Sequence, residues 1–192
     1  AQRPPHLGGL ALHLLEAVAS LPIVLPPTVL GYYLLVAMGR ESTIGRVWES
    51  VFGSPIVFTL TGAVIAATIA SFPFCLRSAR ASFESIDPRV EQAARTMGLP
   101  EWRVAMQVSL PLAWRGVLAG IALSFARALG DFGATVMVAG NIPGRTQTMP
   151  IAVYDAVQAG NDDRAALLAL VLSLVAVAAL LVVGRLGRTA VP

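Results

Sequence analysis

Four long apolar runs dominate this sequence and restrict it to one broad class of fold. They lie approximately at residues 20–38, 56–76, 117–140 and 165–183. Each is close to or above the roughly 20 helical residues that cross the hydrocarbon core of a bilayer. Of the 192 residues, 56% are hydrophobic and only 13% are charged, whereas soluble domains carry about 25% charged residues. We therefore predict an all-α integral membrane protein, a polytopic helical bundle with about four visible spans in a single domain, residues 1–192.

The arginines orient these runs, because every one of the 14 basic residues is an arginine. Six of them lie between the second and third runs, whereas the segments after the first and third runs carry two each. Loops rich in positive charge face the cytoplasm. The central loop and both ends of the chain are therefore predicted to be cytoplasmic.

Several classes of function are disfavoured by what the sequence lacks. It has no run of basic residues of the kind that nucleic-acid-binding proteins carry. Cys75 is the single cysteine, and the only histidines are His6 and His13, so we predict neither a metal site nor a cofactor. A phosphate-binding loop of the P-loop type requires a lysine, which this sequence does not contain. We predict a non-enzymatic chain, with any ATP hydrolysis carried out by another subunit.

The first apolar run is interrupted by Pro22, Pro26 and Pro27. Proline removes a backbone donor, and in lipid the freed carbonyls must be satisfied by protein or water. The run therefore predicts a broken helix that faces protein. One interpretation is a bent segment that lines or gates a pathway, and the other is a kinked structural helix.

The third apolar run contains two charged residues, Arg127 and Asp131. Four residues apart, they would share one face of a continuous helix and could pair. Ionisable groups at membrane depth are costly and are therefore functional candidates. Two roles stay open: a structural ion pair in the bundle interior, or a pathway for anions beside Arg127, with Asp131 holding the arginine in position.

The central loop, about residues 84–112, carries local signals for two short helices. Asp87 can cap a helix that begins at Pro88, and Gly98 can end it in the left-handed conformation. Pro100 is expected to open a second helix and Pro111 to close it. This pattern alone predicts either a compact knob that docks into a partner or an ordinary amphipathic loop on a membrane surface.

The segment after the third run combines a turn signal with polar side chains at the predicted outer face. Its cation and hydrogen-bonding groups could receive an oxyanion or contact a binding protein, and the alternative is a solvated turn. The candidate residues are Asn141, Arg145, Thr146 and Gln147.

The spacing within the central loop resembles the "EAA" motif of binding-protein-dependent ABC importer permeases. The matching positions are Ala93, Ala94, Gly98, Val108, Leu110 and Pro111, and the position of the family's glutamate is held by Gln92, with Glu91 just before it. In that family the motif forms a coupling helix that inserts into the ATPase subunit. The resemblance therefore implies that these eight residues dock an ATPase subunit.

Three further stretches resemble molybdate-type permeases. Residues 21–28 are similar to an "LPLVLPP" segment, residues 128–135 to "ALGEFGAT" with Asp131 in place of the glutamate, and residues 139–150 to the segment that follows it. The resemblance runs from about residue 21 to residue 183. It implies the permease subunit of a molybdate, or tungstate, ABC importer.

The resemblance also implies partners and a location. These are a second copy of the chain with the pathway on the dimer axis, ABC ATPase subunits, a periplasmic or lipid-anchored binding protein, and a bacterial or archaeal cytoplasmic membrane. Family members have five or six spans, so one or two N-terminal spans are expected to be missing here. A sulfate or thiosulfate permease is the alternative. From another class, a secondary transporter is less favoured because the halves of the chain show no repeat. A membrane scaffold is less favoured because it would leave the Arg127 and Asp131 pair and the spacing from Gly98 to Pro111 unexplained.

Overall fold

A computed structural model describes the backbone of residues 7–188, with the side chains of residue 14 and residues 17–181. Every regular element in this range is helical, which confirms the predicted all-α class. The elements are α1 (Leu7–Val24), α2 (Pro27–Met38), α3 (Thr43–Phe52), α4 (Leu60–Glu84), α5 (Pro88–Thr96), α6 (Glu101–Val104), a π-helical segment (Ala105–Ser109), α7 (Leu110–Leu129), α8 (Gly133–Ala139), α9 (Met149–Gln158) and α10 (Asp162–Arg188).

Three helical segments of the described chain are long and apolar enough to cross a membrane. They are Leu60–Glu84, Glu101–Leu129 and Asp162–Leu181, and α2 is a shorter apolar helix. The second and fourth predicted runs are confirmed as long helices. The first run is divided between α1 and α2, and the third is displaced toward the N-terminus.

The third apolar run, residues 117–140, is not one continuous helix. Helix α7 ends at Leu129 and α8 begins at Gly133. Hydropathy does not register this break because apolar residues flank it on both sides. The break follows from Gly130, which weakens a helix, and from Asp131, whose side chain bonds to the backbone at the start of α8.

The prediction that Pro111 closes the second short helix is wrong. Pro111 lies in the first turn of α7, which continues from the π-helical segment. The N–H of Leu110 donates to the carbonyl of Ala105, five residues earlier. A π turn of this kind rearranges the carbonyls ahead of a proline, so the helix passes through Pro111 instead of ending.

The described chain falls into two compact units, with boundaries at residues 73/74, 129/130 and 169/170. The first unit holds α1 to α3, the start of α4, α8, α9 and the start of α10. The second holds the rest of α4, α5 to α7 and the remainder of α10. The prediction of a single domain stays a prediction.

In the first unit, α2 packs closely on α8. A Cβ added to Gly31 would lie 2.9 Å from the Cα of Ala134, so only glycine permits this approach. The core around the contact consists of small and aliphatic side chains. Its buried members are Leu30, Met38, Ile56, Val57, Ala66, Ala70, Ala134 and Val138.

In the second unit, the end of α4 packs on α7 through small residues. The hydroxyl of Ser78 donates to the carbonyl of Gly116 at 3.0 Å. A Cβ added to Gly116 would collide with the side chain of Ser82, and one added to Gly120 would lie 2.8 Å from the Cβ of Ser78. Small residues allow helix backbones to approach closely in membranes, and here they hold α7, the helix that follows the central loop.

Candidate coupling loop and transport pathway

The central loop has the local structure that its sequence predicts around the corner. The carboxylate of Asp87 accepts a hydrogen bond from the N–H of Arg89 at 2.9 Å, and Pro88 is the first residue of α5. Gly98 has φ +82°, the left-handed conformation. Pro100 precedes the first residue of α6. These four predictions are confirmed.

Glu91 stabilises the loop through interactions with residues of the loop itself. Its Oε1 accepts a hydrogen bond from the hydroxyl of Ser109 at 2.7 Å, which ties α5 to the π-helical segment. Arg95 donates to Glu101 at 2.7 Å and lies 3.3 Å from Glu91. The hydrogen bond that Arg95 donates to Glu101, followed by the negative charges of Glu101 and Glu91, raises the pKa of Arg95 above its ordinary value. Gln92 holds the position of the family's glutamate, and Glu91 precedes it. Glu91 is hydrogen-bonded within the loop, whereas Gln92 is exposed.

The predicted docking residues divide between the surface and the interior of the loop. Ala94 is only 2% exposed and Val104, which was not among them, is 1% exposed, so both pack inside the loop. Val108 is half-buried. The exposed members of the predicted set are Gln92, Ala93, Gly98, Leu110 and Pro111.

Sequence analysis missed three large apolar side chains that the loop exposes. Met97 is 75% exposed, Trp102 64% and Met106 62%. Exposed apolar side chains of this size are typical of surfaces that a partner covers. The signal was present in the sequence, because Trp102 and Met106 stand four residues apart and so lie on one side of a helix.

The predicted break in the first apolar run lies at Leu25 and Pro26, between α1 and α2. Pro27 is the first residue of α2. The N–H groups of the first turn have no partner within a helix, so the missing N–H of proline costs no hydrogen bond there. Pro22 lies inside α1, so the prediction that it helps to break the run is wrong. The chain turns where two prolines are adjacent.

The two interrupted segments meet in the first unit. A Cβ added to Gly133, the first residue of α8, would lie 2.6 Å from the Cβ of Pro27 and 3.1 Å from the N of Thr28. The start of α8 therefore presses directly on the start of α2. The structure thus brings the Pro27 candidate beside Gly133, two residues after the Asp131 candidate.

Asp131 is 2% exposed and binds the first turn of α8. Its Oδ2 accepts hydrogen bonds from the N–H of Thr135 at 2.9 Å and from the hydroxyl of Thr135 at 2.7 Å. Arg127 lies in the last turn of α7, before the break. The two residues therefore do not share the face of one continuous helix, and their pairing stays a prediction. Both roles suggested for the pair stay predictions.

The outer segment uses most of its polar groups internally. Gln147 donates to the side chain of Asn141 at 2.9 Å, and Asn141 donates to Asp155 of α9 at 3.2 Å. Thr146 is 2% exposed, and its hydroxyl accepts a hydrogen bond from the N–H of Ile142 at 3.2 Å. Arg145 and Asn141 are the exposed members of the four candidates. Arg145 lines an open pocket of about 800 Å³ together with Arg40.

Residues 6–189 match the family described as "Binding-protein-dependent transport system inner membrane component". The match covers nearly the whole sequence, including the central loop and the broken segments. The chain belongs to this family. It is therefore a multi-pass transport component, and the predicted resemblance to the importer permeases is confirmed at the level of the family.

Curated relatives support a finer comparison. The molybdenum transport system permease protein ModB of Escherichia coli K12 is 45% identical over 176 residues, which are 91% of this chain and 77% of that protein. YvgM of Bacillus subtilis is 48% identical over 151 residues, 79% of this chain and 66% of that protein. A probable sulfate transport system permease protein, cysT of Chlorella vulgaris, is 32% identical over 169 residues, 88% of this chain and 63% of that protein.

Proposed function

We propose that the chain is the permease subunit of an ABC importer that moves molybdate, or tungstate, across a bacterial or archaeal cytoplasmic membrane. The observation that carries the proposal is the 45% identity to the molybdenum permease of Escherichia coli over 91% of this chain. The sulfate-transport relative is 32% identical over a similar share of the chain. Sulfate and thiosulfate, also oxyanions, are therefore the alternative substrates.

ATP hydrolysis belongs to separate ATPase subunits in this proposal, because a chain without lysine cannot form a P-loop. A periplasmic or lipid-anchored binding protein delivers the oxyanion. The complete permease is a dimer of this chain, with the pathway on its axis. These partners follow from the family, and each is open to a co-purification experiment.

The coupling loop has the construction expected of an element that transmits force. The Glu91–Ser109 hydrogen bond joins α5 to the segment that leads into α7, and the Arg95–Glu101 pair spans the corner at Gly98. A displacement of the loop by an ATPase subunit would therefore move the start of α7 with it. Rigid-body motion of this kind is a common route of switching in proteins.

Contact with the ATPase subunit is assigned to the exposed part of the loop. Gln92 and Ala93 are the exposed residues of the motif on α5, and Met97 and Trp102 supply apolar area on either side of the corner. Gly98 sets the angle between the two helices. Ala94 supports the surface from inside and is not itself a contact.

The pathway is assigned to the interrupted helices. Broken helices are tolerated at membrane depth only where protein or a water-filled cavity satisfies the backbone, and transporters place binding sites at such breaks. Pro26, Pro27 and Asp131 lie at the two breaks, and Arg127 supplies a permanent cation in the helix that precedes the second. Arg145, at the predicted outer mouth, is the cation that the arriving oxyanion or its binding protein meets first.

The test is ATP hydrolysis by the reconstituted complex with its binding protein, titrated in parallel with molybdate, tungstate and sulfate. Stimulation by molybdate or tungstate is expected. Stimulation by sulfate alone would establish the alternative. If none of them stimulates a complex that binds ATP, the secondary-transporter and scaffold interpretations return.

Arginine variants then test the pathway. Arg127→Gln and Arg145→Gln are compared with Arg164→Gln, an exposed arginine at the start of α10. We expect the first two to raise the substrate concentration that gives half-maximal uptake and the third to leave it unchanged. If all three variants have the same half-maximal substrate concentration, Arg127 and Arg145 do not belong to the pathway.

A further inference from the structure

Helix α3 is a short amphipathic helix with two well-formed ends. The hydroxyl of Ser42 accepts a hydrogen bond from the N–H of Gly45 at 2.8 Å, and Gly53 ends the helix at φ +68°. One side of the helix is apolar and the opposite side is polar, a pattern with the helical period. The apolar side consists of Ile44, Val47, Trp48, Val51 and Phe52, and the polar side of Arg46, Glu49 and Ser50.

The apolar side is largely uncovered by the rest of the described chain. Ile44 is 59% exposed, Val47 58%, Val51 69% and Phe52 61%. Trp48 is half-buried against the core of the first unit and stacks on Phe52, with ring centroids 4.1 Å apart. The helix therefore presents aliphatic side chains beside an aromatic pair that anchors it.

The position of α3 relative to α2 is tightly held. The hydroxyl of Ser42 donates to the carbonyl of Gly39 at 2.7 Å, and Gly45 packs so closely on that carbonyl that a Cβ would collide with it. Arg40 lies 3.4 Å from Glu49 of α3. The start of α3 is thus fixed to the end of an apolar helix, Pro27–Met38.

The other end of α3 is joined by a short connection to a candidate membrane span. Residues 53–59 are all that separate it from the start of α4, the candidate span Leu60–Glu84. A helix held between the ends of two apolar helices cannot leave the level of the bilayer surface. The arginine distribution places these ends at the outer surface.

We infer that α3 is an interfacial helix whose apolar side inserts into the outer leaflet of the membrane. Helices of this kind lie in the plane of the interface with aliphatic and aromatic residues in the acyl region, and tryptophan favours that depth. On and beside the helix, Arg40 and Arg46 are balanced by Glu41 and Glu49. Insertion is therefore driven by apolar area and does not require anionic lipids.

A second copy of the chain and the binding protein are the competing occupants. The binding protein would approach from water, and so would meet the polar side first. The inference depends on the membrane assignment and not on the transported substrate. Its failure can therefore be told apart from failure of the proposed function.

The test uses spin labels at neighbouring positions on opposite sides of α3. In a Cys75→Ala background, Val51→Cys reports the apolar side and Ser50→Cys is the matched control on the polar side. The protein is placed in nanodiscs of zwitterionic lipid, and collision rates with oxygen and with a water-soluble nickel chelate are measured. We expect the label at position 51 to collide several-fold more with oxygen than with nickel, and the label at position 50 to show the reverse.

Three results would overturn the inference. Equal access of nickel to both labels would place the helix in water. Protection of the label at position 51 from both reagents, with dipolar broadening between labelled copies, would assign the surface to a second copy. Loss of oxygen access at position 51 only when the binding protein is added would assign it to that partner.

A second measurement leaves α3 unchanged and so avoids any effect of the labels on folding. Trp102→Phe and Trp114→Phe leave Trp48 as the single tryptophan. Lipids brominated near the glycerol end of the acyl chain are expected to quench its fluorescence more than lipids brominated near the chain end. Equal quenching by both lipids, or none, would contradict an interfacial position.

Discussion

The corner of the coupling loop offers a substitution whose cost can be worked out from the structure. Gly98 has φ +82°, its N–H donates to the carbonyl of Arg95 at 3.0 Å, and no atom lies within 4 Å of where a Cβ would be. Gly98→Ala therefore introduces no collision and adds only the cost of the left-handed conformation, about 1–2 kcal/mol for a residue with a side chain. Asparagine tolerates this conformation better, so Gly98→Asn is expected to cost less.

This cost limits how far docking can weaken. About 1–2 kcal/mol changes the ratio of the docking-competent conformation of the loop to its alternatives by a factor of roughly 5–30. The apparent affinity for the ATPase subunit falls in proportion to the fraction of the loop in the docking-competent conformation. We expect Gly98→Ala to raise the apparent Kd for the ATPase subunit by at most that factor, with Gly98→Asn between it and the parent chain. The measurement is a titration of the permease in nanodiscs with labelled ATPase subunit.

Gly144→Ala is the matched control. Gly144 also has a left-handed φ, +72°, and open space around its Cβ position, but it lies in the outer segment. It should not change the Kd. If Gly98→Asn weakens docking as much as Gly98→Ala, the partner contacts the bare glycine and the conformational argument is wrong. If Gly98→Ala leaves docking unchanged, the corner angle is not needed.

Three further predictions concern packing and hydrogen bonds. Gly133→Ala should destabilise the protein by about 1–3 kcal/mol, because its Cβ would press on Pro27; thermal unfolding in detergent should show a lower Tm than that of the parent chain, and an unchanged Tm would contradict this. Asp131→Ala should lower the free energy of unfolding by about 0.5–2 kcal/mol, because the bonds to Thr135 are lost. Asp131→Asn should lower it less, since an amide oxygen can still accept these bonds. Equal Tm values for the two variants would contradict this. Ser109→Ala should lower the free energy of unfolding by about 1.5 kcal/mol, because it removes the donor to Glu91, and it should weaken ATPase docking. Ser85→Ala removes only an exposed local hydrogen bond, so it should change neither stability nor docking.

Local signals in the sequence predicted the coupling loop well because each acts within a few residues. Asp87, Pro88, Gly98 and Pro100 act through backbone geometry that depends little on the rest of the fold. The burial of Ala94 was beyond this reasoning. It depends on how α6 and the π-helical segment pack on α5, which signals within a few residues do not specify.

The long apolar runs predicted where long apolar helices occur better than where those helices end. Hydropathy averages over a window, so the break at Gly130 is invisible between two apolar stretches. The prolines show the same limit. Pro111 stands inside a helix because a π turn precedes it, and Pro22 stands inside α1, whereas the adjacent Pro26 and Pro27 end one helix and begin the next.

Asp131 illustrates how a structure changes the meaning of a charge found in an apolar run. Sequence reasoning gave it two roles, both of which involve Arg127. The bonds to Thr135 supply a third reason for a buried carboxylate, the capping of a short helix whose first residue presses on Pro27. Cap and pathway roles differ in their consequences: loss of a cap lowers the Tm, whereas loss of a pathway residue changes the substrate dependence of uptake. Asp131→Asn, which keeps an acceptor and removes the charge, should therefore change the half-saturating substrate concentration only if the charge itself serves the oxyanion.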